Sequence, residues 1–174
     1  MRNVLLGPLV RLGPVGILAL SIQRVVFGNH PLFDVRLQFV LALVVAAGVG
    51  GGADTGAIAG FVLGLMCDLS GNTPVGLTAL AYGVAGMTAG YVRRFTPDPQ
   101  WWLAAIFAFL GAAVGESAVP LTQYLTGESG WVTDRMLVIV PVVAAAAAVF
   151  SPALVPVGRW MMGVKRKTWK AMVE

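Results

Sequence analysis

The chain has 174 residues, 57% of them hydrophobic and 11% charged, with a mean hydropathy of +0.81 and a formal net charge of +4. A soluble domain carries about 25% charged residues, so this composition excludes a water-covered globule and describes a single-domain integral membrane protein, all-α by the lengths of its apolar runs. The lone Cys67 excludes an internal disulfide. The basic residues punctuate the ends of apolar runs and gather in a short tail, which argues against nucleic acid.

A spanning helix needs about 20 mostly apolar residues. The first run covers about 9–27, with Arg11 and Arg24 near its ends, where long basic side chains snorkel to headgroups. No small-x-small cleavage site precedes Arg24, so this run is expected to be retained as a helix. A turn at 29–34, containing His30 and Pro31, leads to a second run, 37–52, and a third, 55–69, both shorter than an ideal span. Gly50–Gly52 and Asp54 separate them. SGNTP at 70–74 is a dense turn signal, followed by a fourth run over 75–92, the pair Arg93–Arg94 and the loop FTPDPQ. Trp101 and Trp102 open the fifth run, 101–124, as interfacial anchors. After a polar connection at 126–135, a sixth run, 136–157, holds Pro141, Pro152 and Pro156, whose freed carbonyls require neighbours.

Six spans place both termini on one side. With the termini in the cytoplasm, nine Lys and Arg residues lie inside and three (Arg24, Arg36 and Arg135) outside, the positive-inside pattern. The expected layout is therefore N-in/C-in, with residues 158–174 as a basic cytoplasmic tail. A re-entrant pair formed by the second and third runs, with four full spans, gives the same end orientation. The tail segment KRKTWK, which includes Lys165, Arg166 and Lys167, attracts anionic lipid headgroups at about 1 kcal/mol per basic residue. It serves either as a topology signal or as a docking site for a cytoplasmic partner.

Gly52, Gly56, Gly60 and Gly64 fall four residues apart, on one ridge of a helix, and the next step lands on Asp68. In lipid, helices associate where small residues let backbones approach. The fourth run repeats the device with Gly76, Gly83, Gly86 and Gly90, which predicts two glycine-faced helices in a hairpin across SGNTP. Such a face packs within one subunit, receives a second protein or borders a substrate cavity.

Two carboxylates stand out. Asp68 lies one residue from the end of the third run, where it stabilises its own turn, contacts a partner or ligand, or transfers a proton. Glu116 sits about 22 Å along the fifth helix, near Pro120, and marks either a kink with a water pocket or an ion or solute site. Arg24 and Arg135 are its candidate partners. Motifs that carry chemistry are missing from the sequence: one histidine, no nucleophile elbow, no phosphate loop and no Cys-x-x-Cys. No catalytic, cofactor or metal residue is expected, and neither is an enzyme.

Residues 56–94, GAIAGFVLGLMCDLSGNTPVGLTALAYGVAGMTAGYVRR, resemble the central signature of the MreD family of bacterial rod-shape-determining membrane proteins. The matching positions are Gly60, Phe61, Gly64, Leu65 and Asp68 on one helix and Pro74, Gly76, Leu77, Leu80, Tyr82, Gly86 and Gly90 on the next, closed by Arg93 and Arg94. Gln23, Pro31 and Asp34 extend the resemblance upstream, and beyond Arg94 it rests on hydropathy. The resemblance implies a non-enzymatic scaffold of the cell-elongation machinery in the bacterial plasma membrane. On this view it binds MreC, a single-span protein with a large external domain, and works beside MreB, RodA and a penicillin-binding transpeptidase in peptidoglycan synthesis. The glycine-lined hairpin would receive MreC, and Arg93, Arg94 and the tail would face cytoplasmic partners. The layout is also similar to the substrate-binding subunits of energy-coupling-factor vitamin transporters. In that alternative, Asp68 and Glu116 line a solute pocket.

Overall fold

Where water is scarce, backbone N–H and C=O groups must pair within the chain, and a helix does this locally. All regular structure among the described residues is helical. The computed structural model describes residues 2–27, 38–71, 74–96, 99–125 and 136–164. Its long helices lie on the six apolar runs. They are α1 (Arg2–Ile22), which continues into a π-helical turn at Gln23–Phe27, α2 (Phe39–Gly51), α3 (Ala53–Ser70), α4 (Leu77–Gly90), α6 (Trp101–Leu125) and α7 (Met136–Met161). A short α5 (Val92–Phe95) follows α4. Three stretches, Ala53–Ser70, Trp101–Ala118 and Val138–Met161, are long and apolar enough to cross a membrane. The expectations for His30, Pro31, Asp34, Arg36, Arg135 and residues 165–174 fall outside the described residues, whereas 158–161, expected to open the tail, continue α7 because Gly158 packs on Ala47.

The centre of the bundle is α2. Its residues Val40 to Gly50 are buried without interruption, as befits a helix that is apolar all round. Helices α3, α4, α6 and α7 enclose it, and α1 packs outside against α2, α3 and α7. At 13 residues, α2 is only about 20 Å long, well short of a bilayer's hydrocarbon core of about 30 Å. Its protein jacket removes the need to match lipid.

A single residue joins α2 to α3. Gly52 adopts φ +103°, a left-handed conformation that disfavours any side chain. The predicted ridge therefore begins with a chain reversal, and only Gly56, Gly60 and Gly64 stand on α3 itself. Helix α7 continues through Pro141, Pro152 and Pro156, all three of which face outward.

Cross-bundle hydrogen bonds sort the described arginines by end. Arg93 donates to Gly50 O at 2.7 Å, and Arg11 donates to Trp160 O at 3.1 Å. The Arg159 stem lies against Gly50 at the same end. Arg24 is at the opposite end, where its guanidinium donates to Ser70 O.

Candidate functional site

The most distinctive geometry is the α3–α4 hairpin. The two helices run antiparallel with their backbones touching, and each four-residue step along α3 meets a four-residue step back along α4. A methyl group added to Gly56 would overlap the Gly86 carbonyl, and one on Gly60 the Tyr82 carbonyl. One on Gly64 would stand 2.6 Å from Ala79 Cα. Gly90 closes the series against Gly52 and Ala53. At the middle of the hairpin a third helix joins: Gly48 of α2 also abuts Gly86, and a methyl group on Gly56 would stand 2.7 Å from the Gly48 Cα. Three helices thus meet backbone to backbone at Gly48, Gly56 and Gly86. Gly83 is different, because it lies at the outer edge of the hairpin, where an added methyl group would meet nothing closer than Ala57 O at 3.6 Å.

The glycine ridge ends in a carboxylate because of the same register. One step beyond Gly64, α3 arrives opposite the first turn of α4, where helical N–H groups have no intrahelical acceptor. Asp68, only 2% exposed, supplies the missing acceptors. It receives hydrogen bonds from Gly76 N at 2.8 Å, Ala79 N at 3.2 Å and Thr78 N at 3.3 Å. Gly76 holds φ +105° at the N-cap position and has no side chain to do this itself. The negative charge also faces the positive end of the α4 dipole. Pro74 precedes this turn on the exposed side. Of the alternatives for Asp68, turn stabilisation comes nearest to what the structure holds, but the amides it binds are those of the N-cap and first turn of α4 and not of its own turn.

Other polar side chains follow the same logic. Gln23, in the π-helical turn after α1, accepts from Val40 N at 2.9 Å and so caps α2. Arg24 serves the last carbonyl of α3, Arg93 a carbonyl in the last turn of α2, and Arg11 one in the last turn of α7. Acceptors from one helix cap the N-termini of another, and cations cap the C-termini, the signs that suit the macrodipoles. Arg94, the other half of the basic pair, instead points outward and lies over the Tyr91 ring at 5.7 Å.

Near the Asp68 end, buried Tyr82 donates from its hydroxyl to Gln38 Oε1 at 2.6 Å, and the Gln38 side chain also hydrogen-bonds Glu116. The other Glu116 oxygen, Oε2, is buried without a partner. Pro120, four residues on, lacks the N–H that would bond the Glu116 carbonyl. The structure therefore gathers Gln38 from the N-cap of α2, Tyr82 from α4 and Glu116 from α6, but neither proposed arginine partner of Glu116: Arg24 serves Ser70, and Arg135 is outside the described residues. A charge held in this way is unfavourable. Glu116→Gln, which preserves shape and an acceptor, is expected to leave thermal stability in detergent unchanged or raise it by about 1 kcal/mol. A fall of several degrees in Tm would show that the anion itself is required.

Of the predicted residues, Gly56, Gly60, Gly64, Asp68, Gly76, Tyr82, Gly86 and Gly90 are brought together in the hairpin interior, while Gly83 lies at its outer edge. Gln23 stands out in the sequence only through the family resemblance, with no role attached, and Gly48, Gln38, Gly111, Gly115 and Gly158 were not anticipated. Gly111 and Gly115 fit α6 onto Ala85, Ala89 and Ala81 of α4, and Gly158 fits α7 onto Ala47 of α2. The four-residue spacing of Gly111 and Gly115 was the available signal. Among the described residues, no group of three or more His, Cys, Asp or Glu side chains could hold a metal ion. No family model, curated protein or solved structure matches this chain.

Proposed function

We propose that the chain is a multi-pass, N-in/C-in scaffold of the bacterial plasma membrane, non-enzymatic, that seats the transmembrane segment of MreC within the cell-elongation machinery. MreB, RodA and a penicillin-binding transpeptidase would act alongside it, with Arg94 and the basic tail toward the cytoplasm and anionic lipids at the tail. The observation that carries this reading is the hairpin. The residues resembling the MreD signature fall on α3 and α4 and lock them into one rigid unit through glycine contacts and the Asp68 cap. Rigidity is what a scaffold contributes.

The seat proposed for the partner is a different face from the glycine ridge. Gly56, Gly60 and Gly64 are occupied by the α4 backbone, so a partner helix cannot enter there. The outward face of the same hairpin carries a shallow apolar groove of about 380 Å³, with Gly83 between Ala57, Phe61, Leu80 and Met87. A photocrosslinker at Phe61 or Met87 is expected to trap MreC when the two are co-expressed, whereas one at position 60 should report only α4 or misfolding. Capture of lipid alone from positions 61 and 87, in protein shown to be folded, would overturn the proposal.

A second reading draws on Glu116. Its partnerless oxygen beside Gln38 and Tyr82 would suit a solute-binding subunit of a vitamin-type transporter. That reading requires a small molecule to be retained through purification and lost in Glu116→Gln.

A further inference from the structure

At the Arg93 end, α6 and α7 part to leave an open cleft of about 610 Å³. Its walls carry Trp101 at the start of α6, and Pro152, Pro156, Arg159 and Trp160 on the last turns of α7. We propose that this cleft binds the phosphodiester headgroup of an anionic phospholipid, with Arg159 as the cation that holds the phosphate and the two indoles flanking it.

Four observations converge. First, the cleft is two-natured, with apolar rings and a guanidinium on the same walls. Such a surface is complementary to an apolar acyl-glycerol backbone carrying an anionic phosphate. Second, Arg159 is a half-buried arginine on the cleft wall, with its stem braced on Gly50. A planar guanidinium pairs with phosphate through two parallel hydrogen bonds, and more strongly where water is partly excluded. Third, Trp101 and Trp160 are 73% and 60% exposed, so packing does not explain them. Arg11 nevertheless fixes Trp160, donating to its carbonyl and lying over its ring at 5.5 Å, which also places a second positive charge beside the cleft. Fourth, Pro152 and Pro156 are four residues apart, so the Pro152 carbonyl has no helical N–H to receive. It offers an acceptor to a headgroup hydroxyl or ammonium.

Basic pockets between spanning helices on the cytoplasmic side are where anionic headgroups lodge, and the end that gathers Arg11, Arg93 and Arg159 is the end so placed by the positive-inside pattern. The inference rests on the chain lying in a membrane and not on MreC, so either can fail alone.

The test is native mass spectrometry of the full chain in detergent, titrated with phosphatidylglycerol or phosphatidylcholine of equal acyl length. The wild type is expected to retain one phosphatidylglycerol with about tenfold preference, falling to about twofold in Arg159→Gln, as loss of a charge-assisted phosphate pair predicts. Trp101→Ala and Trp160→Ala, exposed positions that leave folding intact, should each lower retention about threefold. They carry the test if Arg159→Gln misfolds. Arg24→Gln, at the far end, should change nothing. Neutralising Lys165, Arg166 and Lys167 should reduce loosely bound lipid but spare the tightly held one. The proposal is overturned if the cleft variants keep the wild-type preference, if the tail variant alone abolishes it, or if inorganic phosphate displaces the lipid and so identifies a free-anion site.

Discussion

Gly60→Ala is expected to deplete the folded population severely, at a cost of about 3 kcal/mol or more, although the change adds one methyl group to a helix. Alanine normally improves on glycine in a helix interior by roughly 0.5–1 kcal/mol, so propensity predicts the opposite sign. Sterics decides. The new carbon would overlap the Tyr82 carbonyl, a backbone atom of a packed helix that cannot turn aside as a side chain can. Relief requires α3 and α4 to separate, which opens the contacts at Gly56–Gly86 and Gly64–Ala79 as well. Overpacking of a tight interface costs about 1–3 kcal/mol and more when several contacts open together. Gly83→Ala is the internal comparison: its methyl meets nothing closer than 3.6 Å, and the variant should match or slightly exceed wild-type stability. Thermal unfolding in detergent, followed by size-exclusion chromatography, reads both. Equal tolerance at positions 60 and 83 would refute the backbone-contact account.

Asp68→Ala carries the second large effect. The substitution leaves three amides of the α4 first turn, at residues 76, 78 and 79, without the acceptors they now have. Each buried donor left unpaired costs about 1–3 kcal/mol, and loss of a helix cap alone about 1. The terminus can fray or recruit water to recover part of this, so a net loss of about 2–4 kcal/mol is expected. Asp68→Asn keeps one acceptor oxygen and should lose about half as much. This ordering separates the cap from a role in contacting a partner. If Asp68→Ala unfolds like the wild type yet abolishes MreC capture, the carboxylate acts on the partner and the capping account fails.

The two residue sets differed in how much the linear sequence disclosed. A four-residue glycine period names a helical ridge, because periodicity along one helix is a local property. It does not name what rests on that ridge. The backbone of α4 fills it only because Gly52 turns the chain in one residue and the α3–α4 turn returns it in register. Asp68 was visible as a carboxylate at a helix end, but the amides it binds lie eight to eleven residues downstream, past a turn, and local capping patterns do not reach that far. Gln23 and Gln38 are isolated amides with no spacing signal. Arg93 looked like a charge that sets topology, and its actual hydrogen bond to Gly50 O joins positions 43 residues apart. The positions of the long helices could be read because hydrophobic length is additive; helix-to-helix capping could not, because it depends on which ends come together.

The enclosure of α2 constrains the order in which the molecule can be completed. During synthesis α2 emerges early, yet one of its flanks is covered only by α7, the last of the long helices, with Gly158 seated on Ala47. Until the ribosome delivers that closing piece, a short apolar rod has one flank without its permanent neighbour. A nascent chain halted between α6 and α7 should therefore be prone to surveillance proteolysis.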